Sequence, residues 1–141
     1  MLQTGLPRPC PFCDIVQKRP GSTKTIWEDD TLLAFRDRTP AAKEHLLIIP
    51  KRHIPTVKSL TREDYQLVLS MGQVGESLIQ ECALGSGSKF GFHTPPFNSV
   101  DHLHLHCFAL PHMPAWKGLK YMERPSFNFV PLGTVLERLK P

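Results

Sequence analysis

The sequence has no apolar run near the roughly 20 residues that a membrane-spanning helix requires, so no membrane partner is expected. Its opening residues, Met1-Leu2-Gln3-Thr4-Gly5-Leu6-Pro7-Arg8-Pro9, lack the apolar stretch of a secretory signal. Its last four, Arg138-Leu139-Lys140-Pro141, match no sorting tail, and the expectation is a cytoplasmic protein, small enough for a nuclear pool as well. There is no Lys/Arg block. The net charge of +4 favours anionic partners mildly, but Lys51-Arg52 and the lysines of 117–120 form no basic stripe, so nucleic acid is not expected as a partner. Internal repeats and long linkers are missing too, and 141 residues suit one domain with its own core.

Cysteine is scarce: Cys10, Cys13, Cys82 and Cys107. Without a secretory signal these thiols are expected to stay reduced, so a disulfide framework is not expected. Cys82 falls on an apolar helix face and Cys107 in an apolar strand, where each acts as a small core residue. Cys10 and Cys13 form a C-x-x-C pair. A thioredoxin-like role lacks its βαβ context. With His53 and His102 they make a Cys₂His₂ set suited to structural zinc; two free thiols are the bland alternative, with His102 then a hydrogen-bonding support.

What is present reads as follows. Residues 1–9 form a loose leader, 10–110 the domain and 111–141 a C-terminal extension packed on it. Residues 11–16 make a short helix with proline at its start. Thr25-Ile26-Trp27 and Leu32-Leu33-Ala34-Phe35 flank a Glu28-Asp29-Asp30 turn and form a hairpin. His45-Leu46-Leu47-Ile48-Ile49, stopped by Pro50, reads as a central strand covered on both faces. The main helix spans 61–82. Thr61 caps it, Leu60 and Tyr65 make a staple, and Leu67, Met71, Val74, Leu78 and Cys82 give one apolar stripe. The glycine-rich run from Gly85 ends it. Strands are expected at 90–93, 102–109 and 127–130, with a last helix opened by a Thr134–Glu137 capping box. The class is α+β with a mostly antiparallel sheet and one long helix.

The chemistry concentrates in His102-Leu103-His104-Leu105-His106. With a period of two, a strand sends the three imidazoles to one face and Leu103, Leu105 and Cys107 to the other. Neighbouring rings then sit about 6–7 Å apart, room for a phosphoryl group to engage more than one. Each ring brings two polar nitrogens that need partners, which poor packing would not supply. A metal site and nucleophilic catalysis on an anion are the two functional readings; a half-exposed strand with chance histidines is the bland one.

This run resembles the histidine triad (HIT) motif, His-φ-His-φ-His-φ-φ with φ apolar. Residues 10–110 resemble the Hint branch through Phe35-Arg36-Asp37, His45-Leu46-Leu47-Ile48-Ile49-Pro50-Lys51-Arg52-His53 and Asn98-Ser99-Val100. The run 91–101 resembles plant members that act on adenosine 5′-phosphosulfate and AMP-amidates. The resemblance implies a HIT fold whose sheet continues across a homodimer, with the 61–82 helix and a sheet edge at the interface. It implies that His104 attacks the α-phosphorus of an adenine nucleotide conjugate and that water or phosphate releases AMP or ADP. Neutral imidazole is a competent nucleophile for this near pH 7.

By the same resemblance His106 donates to a phosphoryl oxygen, His45 shares the pocket, and Ser99 contacts the phosphate or protonates the leaving group, with Asn98 beside it. Asp37 accepts from the ribose hydroxyls, and Phe12, Ile15 and Phe35 sandwich the base. Some HIT relatives bind zinc through the Cys10, Cys13, His53 and His102 arrangement. Arg38 stands where an apolar residue is usual, His93 where many members carry a phosphate-side Asn, and Trp116 lies in an unusual C-terminal segment as a substrate selector. Histidine rather than glutamine at 106 favours hydrolysis over nucleotidyl transfer. Three rivals remain: a dinucleoside polyphosphate hydrolase, for which no second nucleotide pocket is visible in sequence; a DNA-end-processing enzyme, which lacks a basic stripe; and a zinc-stabilised nucleotide sensor without turnover.

Overall fold

Leu32-Leu33-Ala34-Phe35 is apolar at every position, and a strand made from it must be covered on both faces. The fold supplies that cover. In the computed structural model of the chain, which describes residues 9–82, 87–96, 98–123 and 129–141, six strands form one antiparallel sheet. They are β1 (Thr25–Glu28), β2 (Leu32–Arg36), β3 (Ala42–Pro50), β4 (Ser88–His93), β5 (Leu105–His112) and β6 (Phe129–Pro131), in the order β1-β2-β3-β5-β4-β6. The α+β reading with one long helix is the architecture observed. β1 and β2 make the expected hairpin, and β3 lies inside the sheet with His45 through Pro50 all buried.

Two helices, α2 (Tyr65–Cys82) and α3 (Leu132–Leu139), cover one face. There Leu32, Ala34, Leu46, Ile48, Leu105 and Cys107 meet Val68, Met71, Ile79, Val135 and Leu139. The other face is covered at two places. At one, Phe12 and Ile15 of the short helix α1 (Pro11–Val16) pack on Leu33, Phe35, Leu47 and Ile49. At the other, Tyr121, from a 3-10 segment at Ala115–Tyr121, packs with Ala41, Ala42, Phe108 and Phe129. The histidines lie between these two clusters, with Phe12 on one side and Tyr121 on the other.

Some expectations need correction. The buried ridge of α2 is Val68, Met71, Gly72, Gly75 and Ile79, while Leu67, Val74 and Leu78 are only partly buried. Glycine carries no hydrophobic signal, yet it lets the helix backbone reach the sheet: a Cβ on Gly75 would stand 2.8 Å from the Cys107 sulfur. The apolar stripe read from sequence is therefore rotated, and Cys82 is half-buried. The strand expected from 102 starts at Leu105. α3 begins at Leu132 behind Pro131, with no side-chain cap, so Thr134 and Glu137 lie inside it. Gly85 and residues 127–128 lie outside the described residues, and the last strand is β6, which pairs with β4 over Gly91–His93. At the head of α2, Thr61 and Asp64 form a capping box, the Thr61 N–H donating to Asp64 Oδ2 at 2.9 Å.

Candidate active site

Extended strand is not what aligns the triad. His102, Leu103 and His104 precede β5, and the Leu103 N–H donates to the Ile54 carbonyl at 2.6 Å. Alternation survives nonetheless. Leu103, Leu105 and Cys107 enter the core under α2, while His102, His104 and His106 turn to the other face, buried at 0, 6 and 4% exposure. The His104 and His106 ring centroids are 5.0 Å apart.

Hydrogen-bond polarity assigns each ring a proton. A carbonyl only accepts, so the 2.7 Å contact of His104 Nδ1 with the His102 carbonyl puts the proton on Nδ1 and leaves a lone pair on Nε2. His106 receives the opposite assignment through His45. The Ala41 N–H donates to His45 Nδ1 at 3.0 Å, so neutral His45 carries its proton on Nε2. That atom is 2.9 Å from His106 Nδ1 and donates to it, which leaves His106 with an N–H at Nε2. His106 Nε2 is buried and has no partner among the described residues. One ring offers an electron pair and its neighbour a proton.

Burial keeps these rings neutral. It is the first cause of the lowering of His104 to about 4, against which the hydrogen bond to the His102 carbonyl works. His45 is also pushed down to about 4, by burial first, with Asp37 opposing. His106 is held well below the ordinary histidine value by burial, then by His104 and His45. Asp37 Oδ2 lies 3.4 Å from His45 Nε2, so Asp37, His45 and His106 cluster closely. The same polarity argues against a cation there, since His45 Nε2 bears hydrogen.

A cavity of about 590 Å³ opens beside His104, lined also by Phe12, Ile15, Phe35, Asp37, Arg38 and Ser99. Phe12, Ile15 and Phe35 are thus both core and cavity wall. Asp37 Oδ1 accepts from the Thr39 N–H at 2.8 Å, an Asx turn that holds the carboxylate at the cavity edge. Ser99 is exposed there. Asn98 is not on this cavity: its amide donates to Asp101 at 2.8 Å and, with His93, it borders a small void behind His104. Enclosed His106 does not line the cavity either. His104 thus stands at the cavity wall, with the His106 ring 5.0 Å from it and enclosed.

His93 ends β4, and its Nε2 donates to the Lys120 carbonyl at 2.8 Å, clasping the 3-10 segment onto the sheet. That segment brings Tyr121 to 5.1 Å from the His106 ring, a contact with no sequence signal because it comes from outside the motif region. Thr39 was also missed, though Asp-x-Thr is an Asx-turn pattern. Trp116 is 67% exposed and away from the His104 cavity.

On the other side of His102, Cys10, Cys13 and His53 converge. His102 Nε2 donates to the Pro50 carbonyl at 2.9 Å, so Nδ1 carries the lone pair. That Nδ1 lies 3.4 Å from Cys10 Sγ, 3.6 Å from Cys13 Sγ and 3.1 Å from His53 Nδ1, and His53 Nδ1 lies 3.3 Å from Cys13 Sγ. Tetrahedral zinc with its usual bond lengths needs S–N edges of about 3.6 Å and an N–N edge of about 3.3 Å. The donor set fits. Burial, then Cys10, pushes the Cys13 thiol up to about 11, so this sulfur ionises near neutrality only against a cation.

With this geometry in hand, the comparisons decide the family. A family profile described as "Scavenger mRNA decapping enzyme C-term binding" matches residues 9–122. A HIT family hydrolase from Legionella pneumophila superposes with a TM-score of 0.68 at 34% identity, over 74% of this chain and 96% of that one. The chain belongs to the histidine triad family. Among its HIT relatives, the Arabidopsis thaliana bifunctional adenosine 5′-phosphosulfate phosphorylase/adenylylsulfatase HINT4 is 51% identical over 140 residues, 97% of this chain and 95% of that protein. The Xenopus tropicalis adenosine 5′-monophosphoramidase HINT3 is 40% identical over 71% of this chain and 67% of that protein.

Proposed function

We propose that this HIT protein is a nucleotide hydrolase/phosphorylase that cleaves AMP conjugates at the α-phosphorus, with adenosine 5′-phosphosulfate or an AMP-amidate as substrate. One observation carries the reading: the His104 lone pair, fixed by the His102 carbonyl, borders a nucleotide-sized cavity. The printed activities of HINT4 and HINT3 support the substrate class.

In this reading the base lies among Phe12, Ile15 and Phe35, and Asp37 accepts from the ribose. His104 Nε2 attacks phosphorus; a P–N bond forms as the P–O bond to sulfate, or the P–N bond to the amine, breaks. The imidazolium so formed keeps its Nδ1–H on the His102 carbonyl. His106 Nε2–H donates to oxygen as charge grows there, and Ser99 assists at the leaving group, with Asn98 ordering its loop. In the second step water attacks phosphorus, the P–N bond breaks, and AMP and a proton leave; inorganic phosphate in place of water gives ADP.

Zinc on Cys10, Cys13, His53 and His102 has a structural role in this proposal: it ties α1 to the segment that carries the His102 carbonyl. We also propose a cytoplasmic homodimer that uses the outer face of α2 and a sheet edge. β6 covers Gly91–His93 of β4, so the available stretch of that edge is Ser88–Phe90.

A single-turnover reaction with labelled adenosine 5′-phosphosulfate tests the proposal. An acid-labile protein adduct is expected in the native chain and none in His104→Ala. Tight AMP binding with no adduct would make the protein a sensor instead.

A further inference from the structure

Asp37 and Arg38 follow β2 side by side, and both line the cavity beside His104. They carry opposite charges but form no pair with each other. The turn after them holds the carboxylate: Asp37 Oδ1 accepts from the Thr39 N–H at 2.8 Å and from the Thr39 hydroxyl at 3.3 Å, and Oδ2 lies 3.4 Å from His45 Nε2. The neighbouring arginines are committed elsewhere, Arg19 to Asp14 at 3.2 Å and Arg36 to Glu44 at 3.5 Å. Arg38 is exposed and makes no ion pair or hydrogen bond among the described residues. Asp14 is the other carboxylate on the cavity wall, and Arg19 takes it up. Lys117, whose Nζ donates to the Pro40 carbonyl at 3.2 Å, brings a second cation to the same turn. A guanidinium has five N–H donors, no acceptor and a permanent charge, so one left unpaired on a cavity wall calls for an anion.

We propose that Arg38 makes the ribose end of this cavity a second anion subsite, which takes adenosine 5′-conjugates bearing a further phosphate on the ribose 2′ or 3′ oxygen. The inference rests on the nucleotide reading above and extends its substrate class. In that reading Asp37 accepts from the ribose hydroxyls. Consecutive Cα atoms are about 3.8 Å apart, so the Arg38 side chain is rooted beside the same sugar. A carboxylate matches a hydroxyl, and a guanidinium matches a phosphate ester through two parallel hydrogen bonds. With one ribose oxygen phosphorylated and the other free, each residue keeps its matching group. Dinucleotide-binding folds divide the work in the same way, with an acid for the free ribose hydroxyl and an arginine for its phosphate.

Equilibrium dialysis with AMP, adenosine 3′,5′-bisphosphate, adenosine 2′,5′-bisphosphate and GMP tests this apart from turnover. At least one bisphosphate is expected to bind about tenfold tighter than AMP, the scale of a charge-assisted hydrogen bond. In Arg38→Ala that advantage falls to within about twofold, with AMP binding retained as the sign of a folded chain. Arg38→Lys keeps the charge but loses the fork and is expected to retain about threefold. Bisphosphates that bind no tighter than AMP, or an advantage that survives Arg38→Ala, overturn the subsite and leave the nucleotide reading standing. Equal weakening of AMP and both bisphosphates in Arg38→Ala overturns it too, by placing the guanidinium on the 5′-phosphate. A preference for GMP over AMP that Arg38→Ala abolishes does the same by placing it on the base. Failure of every nucleotide to bind overturns the nucleotide reading and the subsite with it.

Discussion

His102 and His104 are two residues apart, on one face and both buried, yet their surroundings prepare them for opposite tasks. His102 gives its Nε2–H to Pro50 and turns an Nδ1 lone pair to two sulfurs and His53. His104 gives its Nδ1–H to the His102 carbonyl and turns an Nε2 lone pair to the cavity side. What differs is which nitrogen meets a carbonyl. A backbone oxygen chooses the tautomer, and the tautomer chooses the chemistry. His102 links the regions, its ring in the Cys/His cluster and its carbonyl on the His104 ring.

The largest effect expected from breaking this comparison is at His104. His104→Ala should lower kcat on adenosine 5′-phosphosulfate about 10⁴-fold or more, measured by AMP release; activity within tenfold of the native chain would remove the nucleophile from the scheme. Next comes His45→Ala, which leaves the His106 tautomer unassigned. A kcat loss of about 10²-fold is expected with KM little changed; a pure KM effect would make His45 a packing residue.

On the other side of His102, Cys13→Ser should abolish stoichiometric zinc by elemental analysis, lower Tm, and reduce kcat about tenfold through the shared segment. Unchanged metal content would end the zinc proposal. The smallest effect is graded rather than mutational. His45 and His104 have folded values near 4, below the 6.5 of an exposed histidine. The unfolded chain therefore takes up protons first as pH falls. Their contribution to stability is complete above about pH 6.5 and is lost on the way to pH 4, on the order of 3 kcal/mol for His104 alone. Thermal melts across that interval should show a falling Tm, less steep in His45→Ala; a flat Tm would mean that the folded chain takes up protons over the same interval as the unfolded one.

Much of the fold was legible in sequence. Period-two alternation placed the triad on one face, continuous apolar runs marked β2 and β3 as covered strands, and proline at 11 opened α1. The errors share a cause. The α2 ridge was misread because its contact to β5 is made by Gly72 and Gly75, whose value is the absence of a side chain. The triad reads as strand in sequence because alternation of faces does not need ladder hydrogen bonds; the Leu103 N–H pairs with Ile54 instead. The His93–Lys120 clasp and the place of Tyr121 have no signal in sequence, because a contact between β4 and a segment 27 residues later has no local pattern.

By itself the sequence determined which side chains face the site, since the face alternates with residue number along an extended chain and chemistry follows residue type. It also brought Cys10 and Cys13 to one turn, where helical spacing puts Cys10 at the cap of α1. Only tertiary structure decided which nitrogen of His102 and of His106 carries a proton, because Pro50 and His45 reach those rings from 52 and 61 residues away; the partners that fix His104 and His45, the backbone at 102 and at 41, are local. It alone also enclosed His106 beneath Tyr121 and opened a cavity beside Trp116, since such contacts depend on how segments distant in sequence dock on the sheet.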